Sequence, residues 1–125
     1  MKCNGGGLPG VYMHKWSDTI TLPGGCDSWV FAWDGCCRNT SVNVSGGGNN
    51  YYFETVLNST TSPCNSSPEI ISSPVPYVCI NQPVNFNLGV FEKDGDSLHY
   101  SLISAMTGPN GNVPYNAGYS GVSPI

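Results

Sequence analysis

Glycine and proline recur so often along this chain that the sequence predicts no long helix. The 125 residues include 16 glycines and 10 prolines, and no segment keeps a 3.6-residue apolar period. Both residue types disfavour a helix interior. Short stretches rich in β-branched, aromatic or alternating residues lie between them, and we predict strands in six of these stretches. They span residues 11–22, 27–33, 40–44, 50–58, 77–89 and 97–104.

The spacing of these stretches predicts an all-β fold. Runs of about five to nine residues separated by turn signals are typical of an antiparallel sandwich. The serine- and proline-rich segment 58–76 is poorly suited to a central strand, so we interpret it as a linker between units 1–67 and 68–125. The second unit has too few predicted strands for a complete sandwich, because its tail 107–125 is predicted to be loop. We therefore expect it to be incomplete and unstable alone.

Charge limits the partners of the chain. Only 10% of the residues are charged, and eight acidic residues against four basic ones leave a net charge of −4. Phosphate binding needs clustered cations, so we expect no nucleic-acid partner. No apolar run reaches the roughly 18 residues that span a bilayer, so we expect no membrane insertion.

Six cysteines indicate a disulfide-bonded, extracellular protein. Their even number in a chain rich in Thr, Asn and Ser but poor in Lys is typical of export, and zinc-type spacing is missing. We predict that all six are oxidised: Cys3, Cys26, Cys36, Cys37, Cys64 and Cys79. Neighbouring residues of a strand face opposite sides, so Cys36 and Cys37 are predicted to have different partners. A Cys64–Cys79 link is our hypothesis. The start of the chain lacks the apolar segment of a signal peptide, so we interpret it as a fragment of a longer protein.

Three segments carry a resemblance to a known family. They are CCRN at 36–39, YFETVLNSTTSPCNSSP at 52–68 and PYVCINQPVNFNLGVFEKDGDSLHYSLI at 76–103. Together they resemble repeated modules of very large surface proteins of gliding and related Bacteroidota. The resemblance covers most of the chain and implies an immunoglobulin-like sandwich over 1–67 and the start of a cadherin-like module over 68–125. It also implies type IX secretion, a cell-surface location, and a role in adhesion or gliding motility.

The stretch EKDGDSLHY (92–100) raises a calcium hypothesis. Carboxylates suit Ca²⁺, and Glu92, Asp94 and Asp96 are the candidate ligands. An EF-hand is excluded, because its sixth and twelfth positions would be His99 and Ala105. Asp-Gly is also a strong turn signal, so a turn without metal and a turn with weakly bound calcium stay open. No other cofactor is expected.

The sequence does not indicate an enzyme. Its two histidines lie in predicted strands, and the chain lacks a Gly-x-Ser-x-Gly nucleophile motif. Asp94 and Asp96 share one turn, and nothing in the sequence predicts the burial that raises the pKa of a catalytic acid. We therefore predict a non-catalytic protein.

Aromatic residues divide into a predicted core face and predicted contact residues. Trp29, Phe31 and Trp33 are spaced by two and are predicted to form one face of the core. Four tyrosines near loops are weaker candidates for ligand contact: Tyr51, Tyr52, Tyr115 and Tyr119.

These features favour a structural and adhesive segment of a secreted bacterial surface protein. Its expected partners are neighbouring modules of the same protein or filament, together with glycans or surfaces. Two alternatives stay open. One is a carbohydrate-binding module, and the other is a filament subunit whose sheet is completed by a neighbour's strand.

Overall fold

The fold is built from short antiparallel β-strand pairs. The computed structural model describes residues 12–73, 77, 83 and 85–124, and within these residues every helix or strand element is a strand. The all-β prediction is therefore confirmed for this part of the chain. The strands are β1 (Trp29–Gly35), β2 (Tyr51–Leu57), β3 (Glu69–Ile70), β4 (Val90–Phe91), β5 (Met106–Gly108) and β6 (Gly111–Asn112). They pair as β1–β2, β3–β4 and β5–β6. Among the described residues, no helix has the length and apolarity needed to cross a bilayer.

The two longest strands confirm two sequence predictions. The predicted strands 27–33 and 50–58 correspond to β1 and β2, with bounds shifted by one or two residues. Both are rich in aromatic and β-branched residues, which suit a pleated surface. They run antiparallel in an unbroken register from Trp29 opposite Leu57 to Gly35 opposite Tyr51.

The β5–β6 hairpin was missed by the sequence prediction, which assigned 107–125 to loop. Gly108 lies opposite Gly111, and Pro109 and Asn110 form the turn between them. Proline at the second position and glycine at the fourth are typical of a tight turn. The stretch GPNG therefore indicates a turn. The residues on either side of it lack the alternation that indicates a strand.

Contacts divide the chain into two units. One contains the described residues among 1–23 and 66–95, and the other contains those among 24–65 and 96–125. We call the latter the central unit. This grouping differs from the predicted division at residue 67, because each unit is assembled from two separate segments.

Hydrogen bonds show how the two segments of the central unit join. The predicted strand 40–44 forms isolated bridges instead of a ladder, and one of them pairs Val44 with Tyr115. Next to it, the Ser45 N–H donates to the Pro114 carbonyl at 2.9 Å. The C-terminal segment thus completes the unit that contains β1 and β2.

Two further strand predictions are wrong, and a third lies partly outside the described residues. Residues 12–22 and 97–104 contain no strand, so those two predictions are wrong for the described residues. Their alternating side chains are largely exposed, as shown by Trp16 and Leu102. Alternation does not supply the neighbouring strand that a ladder requires. The predicted strand 77–89 lies partly outside the described residues; those described within it contain no strand.

The apolar core is small. Among the described residues, Tyr52 on β2 and Val113 just after β6 are the buried apolar side chains, 8% and 3% exposed. The Val113 N–H donates to the Ala105 carbonyl at 2.8 Å. Full burial of one large apolar side chain contributes only about 1.5–3 kcal/mol. Stability must therefore depend also on backbone pairing and close backbone contacts.

One such contact joins Gly121 to the segment before β5. Gly121 is buried, and a Cβ added there would lie 2.5 Å from the Ser104 nitrogen and 2.6 Å from its Cα. Both atoms belong to the backbone, so they cannot move aside as a flexible side chain could. Any larger residue at position 121 must separate the two segments.

We predict that Gly121→Ala destabilises the central unit by about 1–3 kcal/mol through overpacking. Urea unfolding followed by far-UV circular dichroism measures the change. Gly24→Ala is the matched control, because a Cβ there meets nothing within 4 Å. Equal unfolding midpoints for the two variants would contradict the prediction.

Candidate functional site

The β1–β2 register places five aromatic side chains on one face of the strand pair. Residues that lie opposite each other share a face, and residues two apart along a strand do as well. Trp33 lies opposite Phe53, and Gly35 opposite Tyr51. We define the aromatic face by its five rings: Trp29, Phe31, Trp33, Tyr51 and Phe53.

Three of these rings form a nearly parallel row. The Trp33 and Phe53 centroids are 5.9 Å apart with 21° between the planes, and those of Tyr51 and Phe53 are 6.2 Å apart with 12°. Trp33 is 52% exposed and Phe53 is 59% exposed. The prediction that Trp33 belongs to a core face is therefore wrong. Trp29 and Phe31 on the same face are partly buried.

Gly35 makes room for this arrangement. A Cβ added at Gly35 would lie 2.5 Å from Cη2 of Trp33, so the indole ring lies over the glycine backbone. The ring reaches this position because Gly35 ends β1 on the same face. A side chain at Gly35 would displace the indole.

Arg38 lies at the Tyr51 end of the aromatic face. Its guanidinium carbon is 4.4 Å from the Tyr51 ring centroid, a cation–π distance. Nε donates to the Asn50 carbonyl and Nη2 to the Met106 carbonyl, both at 3.1 Å. These contacts hold the side chain in one position. Arg38 is also the only lysine or arginine in the sequence of the central unit.

Acidic side chains of the two strands lie on the opposite face. Asp34 is opposite Tyr52, and Glu54 follows Tyr52 by two residues on β2. The Tyr52 hydroxyl donates to Glu54 Oε2 at 2.8 Å. This hydrogen bond, then burial, then the negative charges of Glu54 and Asp34 raise the pKa of Tyr52. Tyr52 was predicted as a contact residue, but the structure buries it.

A shallow, open depression of about 360 Å³ lies along the middle of the strand pair. Most of its lining is apolar, and its size falls within the range of small-ligand sites. Its lining residues are Phe31, Ala32, Trp33, Phe53, Glu54 and Thr55.

The other predicted contact tyrosines differ in their surroundings. Tyr51 belongs to the aromatic face, beneath Arg38. The Tyr115 hydroxyl accepts a hydrogen bond from the Ala105 N–H at 3.1 Å, and Tyr119 is partly buried. The structure therefore brings one of the four into the row of rings.

The EKDGDSLHY segment forms a turn. Gly95 has a φ of +83° after a bend at residues 93–94. Asp94 accepts hydrogen bonds from the backbone N–H and the hydroxyl of Ser66. Glu92 and Asp96 also make interactions. Among the described residues, no group of three or more His, Cys, Asp or Glu side chains is arranged to hold a metal, so calcium binding stays a hypothesis.

Cys36 and Cys37 form a close pair consistent with a disulfide bond between neighbours. The prediction that they have different partners is therefore wrong. That prediction assumed strand geometry, in which neighbours face opposite sides. Because β1 ends at Gly35, neither cysteine follows this alternation.

The prediction that all six cysteines are oxidised stays a prediction, because no disulfide is described for the other four. Cys26 and Cys64 have no disulfide partner among the described residues. Cys3 and Cys79 lie outside the described residues, and so does the hypothesised Cys64–Cys79 link.

No protein-family model, curated protein or solved structure matches the chain.

We predict that Glu54→Gln lowers the pKa of Tyr52 towards the ordinary tyrosine value of about 10, because the change removes a charged acceptor. A tyrosine with a raised folded pKa contributes stability below about pH 10, and this stability is lost as the pH rises through the folded value. Ultraviolet titration of tyrosinate measures the shift. The Tyr52→Phe variant should lack the tyrosine that titrates at raised pH, which identifies that group as Tyr52. An unchanged titration in Glu54→Gln would contradict the prediction.

We predict that Gly35→Ala weakens the aromatic near-UV circular dichroism signal, because the new methyl group displaces the Trp33 ring from Phe53. The far-UV signal should persist, since alanine fits a strand backbone. Gly108→Ala provides the control, because a Cβ there meets nothing within 4 Å. The same near-UV spectrum in both variants would show that Trp33 does not lie over Gly35.

Proposed function

We propose that the chain is a non-catalytic structural and adhesive segment of a secreted bacterial cell-surface protein. The resemblance to modular Bacteroidota surface proteins supports immunoglobulin-like and cadherin-like architecture for its modules. The observation that carries the adhesive part is the aromatic face on β1 and β2, where Trp33 and Phe53 are each about half exposed. Its rings contact a partner at the cell surface.

The physical basis of adhesion is exposed, ordered aromatic surface. Trp33 and Phe53 are each about half exposed, and contact would remove their apolar area from water. Aromatic side chains have few rotatable bonds, and neighbouring rings already restrict these two. Little conformational entropy is therefore lost when a partner binds.

The surroundings of the candidate acid and base groups support a non-catalytic role. The Asp94 carboxylate accepts two hydrogen bonds from Ser66 within an exposed turn. The His14 ring stacks on Trp16, whose side chain is 79% exposed. Neither arrangement resembles a buried, oriented catalytic group.

A carbohydrate-binding module is the second candidate. The row of Trp33, Phe53 and Tyr51 favours it, because partly exposed aromatic rings can contact the C–H groups of sugars. Aromatic ring faces are electron-rich and attract such weakly positive groups. In this case the segment would bind glycan and so hold an attached secreted protein to it.

A filament subunit is the third candidate function. Within the described residues each sheet has only two strands, so each strand has one edge to which a neighbouring chain could add.

We predict that Trp33→Ala combined with Phe53→Ala weakens retention on polysaccharide-coated and apolar surfaces by about tenfold or more, as expected for central aromatic contacts. A quartz-crystal microbalance measures retention. Trp16→Ala is the matched control, because it removes an exposed tryptophan outside the aromatic face. Equal retention of the double variant and wild type would overturn the proposed function.

A further inference from the structure

The aromatic face combines a fixed positive charge with exposed rings. Arg38 contacts the Tyr51 ring at one end of the row, and Phe53 and Trp33 continue the row from there. This cation is the only lysine or arginine in the central unit. Its position beside the rings matters more than the net charge, because interactions between exposed charges fade over about 10 Å in salt.

None of the contacts of Arg38 described above is with an acidic side chain. Strand alternation directs Asp34 and Glu54 to the face opposite the rings. The Glu54 carboxylate accepts the Tyr52 hydroxyl on that opposite face, although Glu54 also lines the depression. The Arg38 end of the aromatic face is therefore complementary to an anion.

The guanidinium can recognise a carboxylate while it keeps its internal contacts. It has five N–H donors in a planar fork, and the Asn50 and Met106 carbonyls account for two of them. A planar guanidinium matches a carboxylate in geometry as well as charge.

The rings next to Arg38 define the rest of the ligand. Phe53 and Trp33 are each about half exposed, and exposed aromatic surface suits the C–H groups of a pyranose ring. Thr55 lies on the same face of β2, two residues after Phe53, and adds a hydroxyl that can donate and accept. A ligand that matches all three features has sugar rings, hydroxyl groups and carboxylates.

We propose that the aromatic face binds a uronate-containing polysaccharide. Sugar rings stack on Trp33 and Phe53, and a uronate carboxylate pairs with Arg38. This inference rests on the proposed adhesive function and names its ligand class. A neutral glycan would leave the one fixed cation of the face without a counter-charge.

The test compares polygalacturonate with the same polymer after complete methyl esterification, which removes the charge and keeps the sugar rings. Isothermal titration calorimetry with the intact chain should show about fivefold tighter binding to the acidic polymer at low salt, the size expected for one exposed ion pair. High salt should remove this preference. Arg38→Gln should bind both polymers equally, and Arg38→Lys should keep part of the preference.

Separate results distinguish failure of the inference from failure of the proposed function. Equal wild-type binding to both polymers at low salt overturns the uronate inference. The adhesive proposal survives that result if the Trp33→Ala and Phe53→Ala double variant loses binding. A wild-type dimer in light scattering that becomes monomeric with Trp33→Ala would show a self-interface and also overturn the uronate inference. If Arg38→Gln fails to fold by far-UV circular dichroism, the wild-type comparison of the two polymers over a salt series decides.

Discussion

The hydrogen-bond register between β1 and β2 is the constraint on which the rest of the site depends. It sets Trp33 opposite Phe53 and Gly35 opposite Tyr51, and so collects the aromatic rings on one face. A slip of one residue would reverse the face of every side chain on the slipped strand. The rings of the two strands would then point to opposite sides, and the row would not exist.

The same register separates charge across the strand pair. Arg38 lies against Tyr51 on the aromatic face, whereas Glu54 is bonded to Tyr52 on the opposite face. Neighbouring residues of a strand point to opposite sides, so adjacent positions in the sequence have different environments. One strand pair can therefore carry a cation beside aromatic rings on one side and carboxylates on the other.

Close backbone contact compensates in part for a small core. The buried apolar side chains among the described residues are Tyr52 and Val113, and both belong to the central unit. Gly121 lets the chain approach the backbone of Ser104, and the Val44–Tyr115 bridge ties distant segments together. Large apolar side chains such as Trp16, Trp33 and Leu102 stay exposed.

The sequence by itself determined the all-β class, the two long strands and the turn that ends at Gly95, because glycine, proline and alternation act locally. Tertiary structure decided that 97–104 would not be a strand and that Trp33 would be exposed. Alternation shows which residues share a face, but it does not show which strand lies beside them or whether another layer covers them. Those outcomes depend on contacts between residues far apart in the chain, such as Arg38 with Met106.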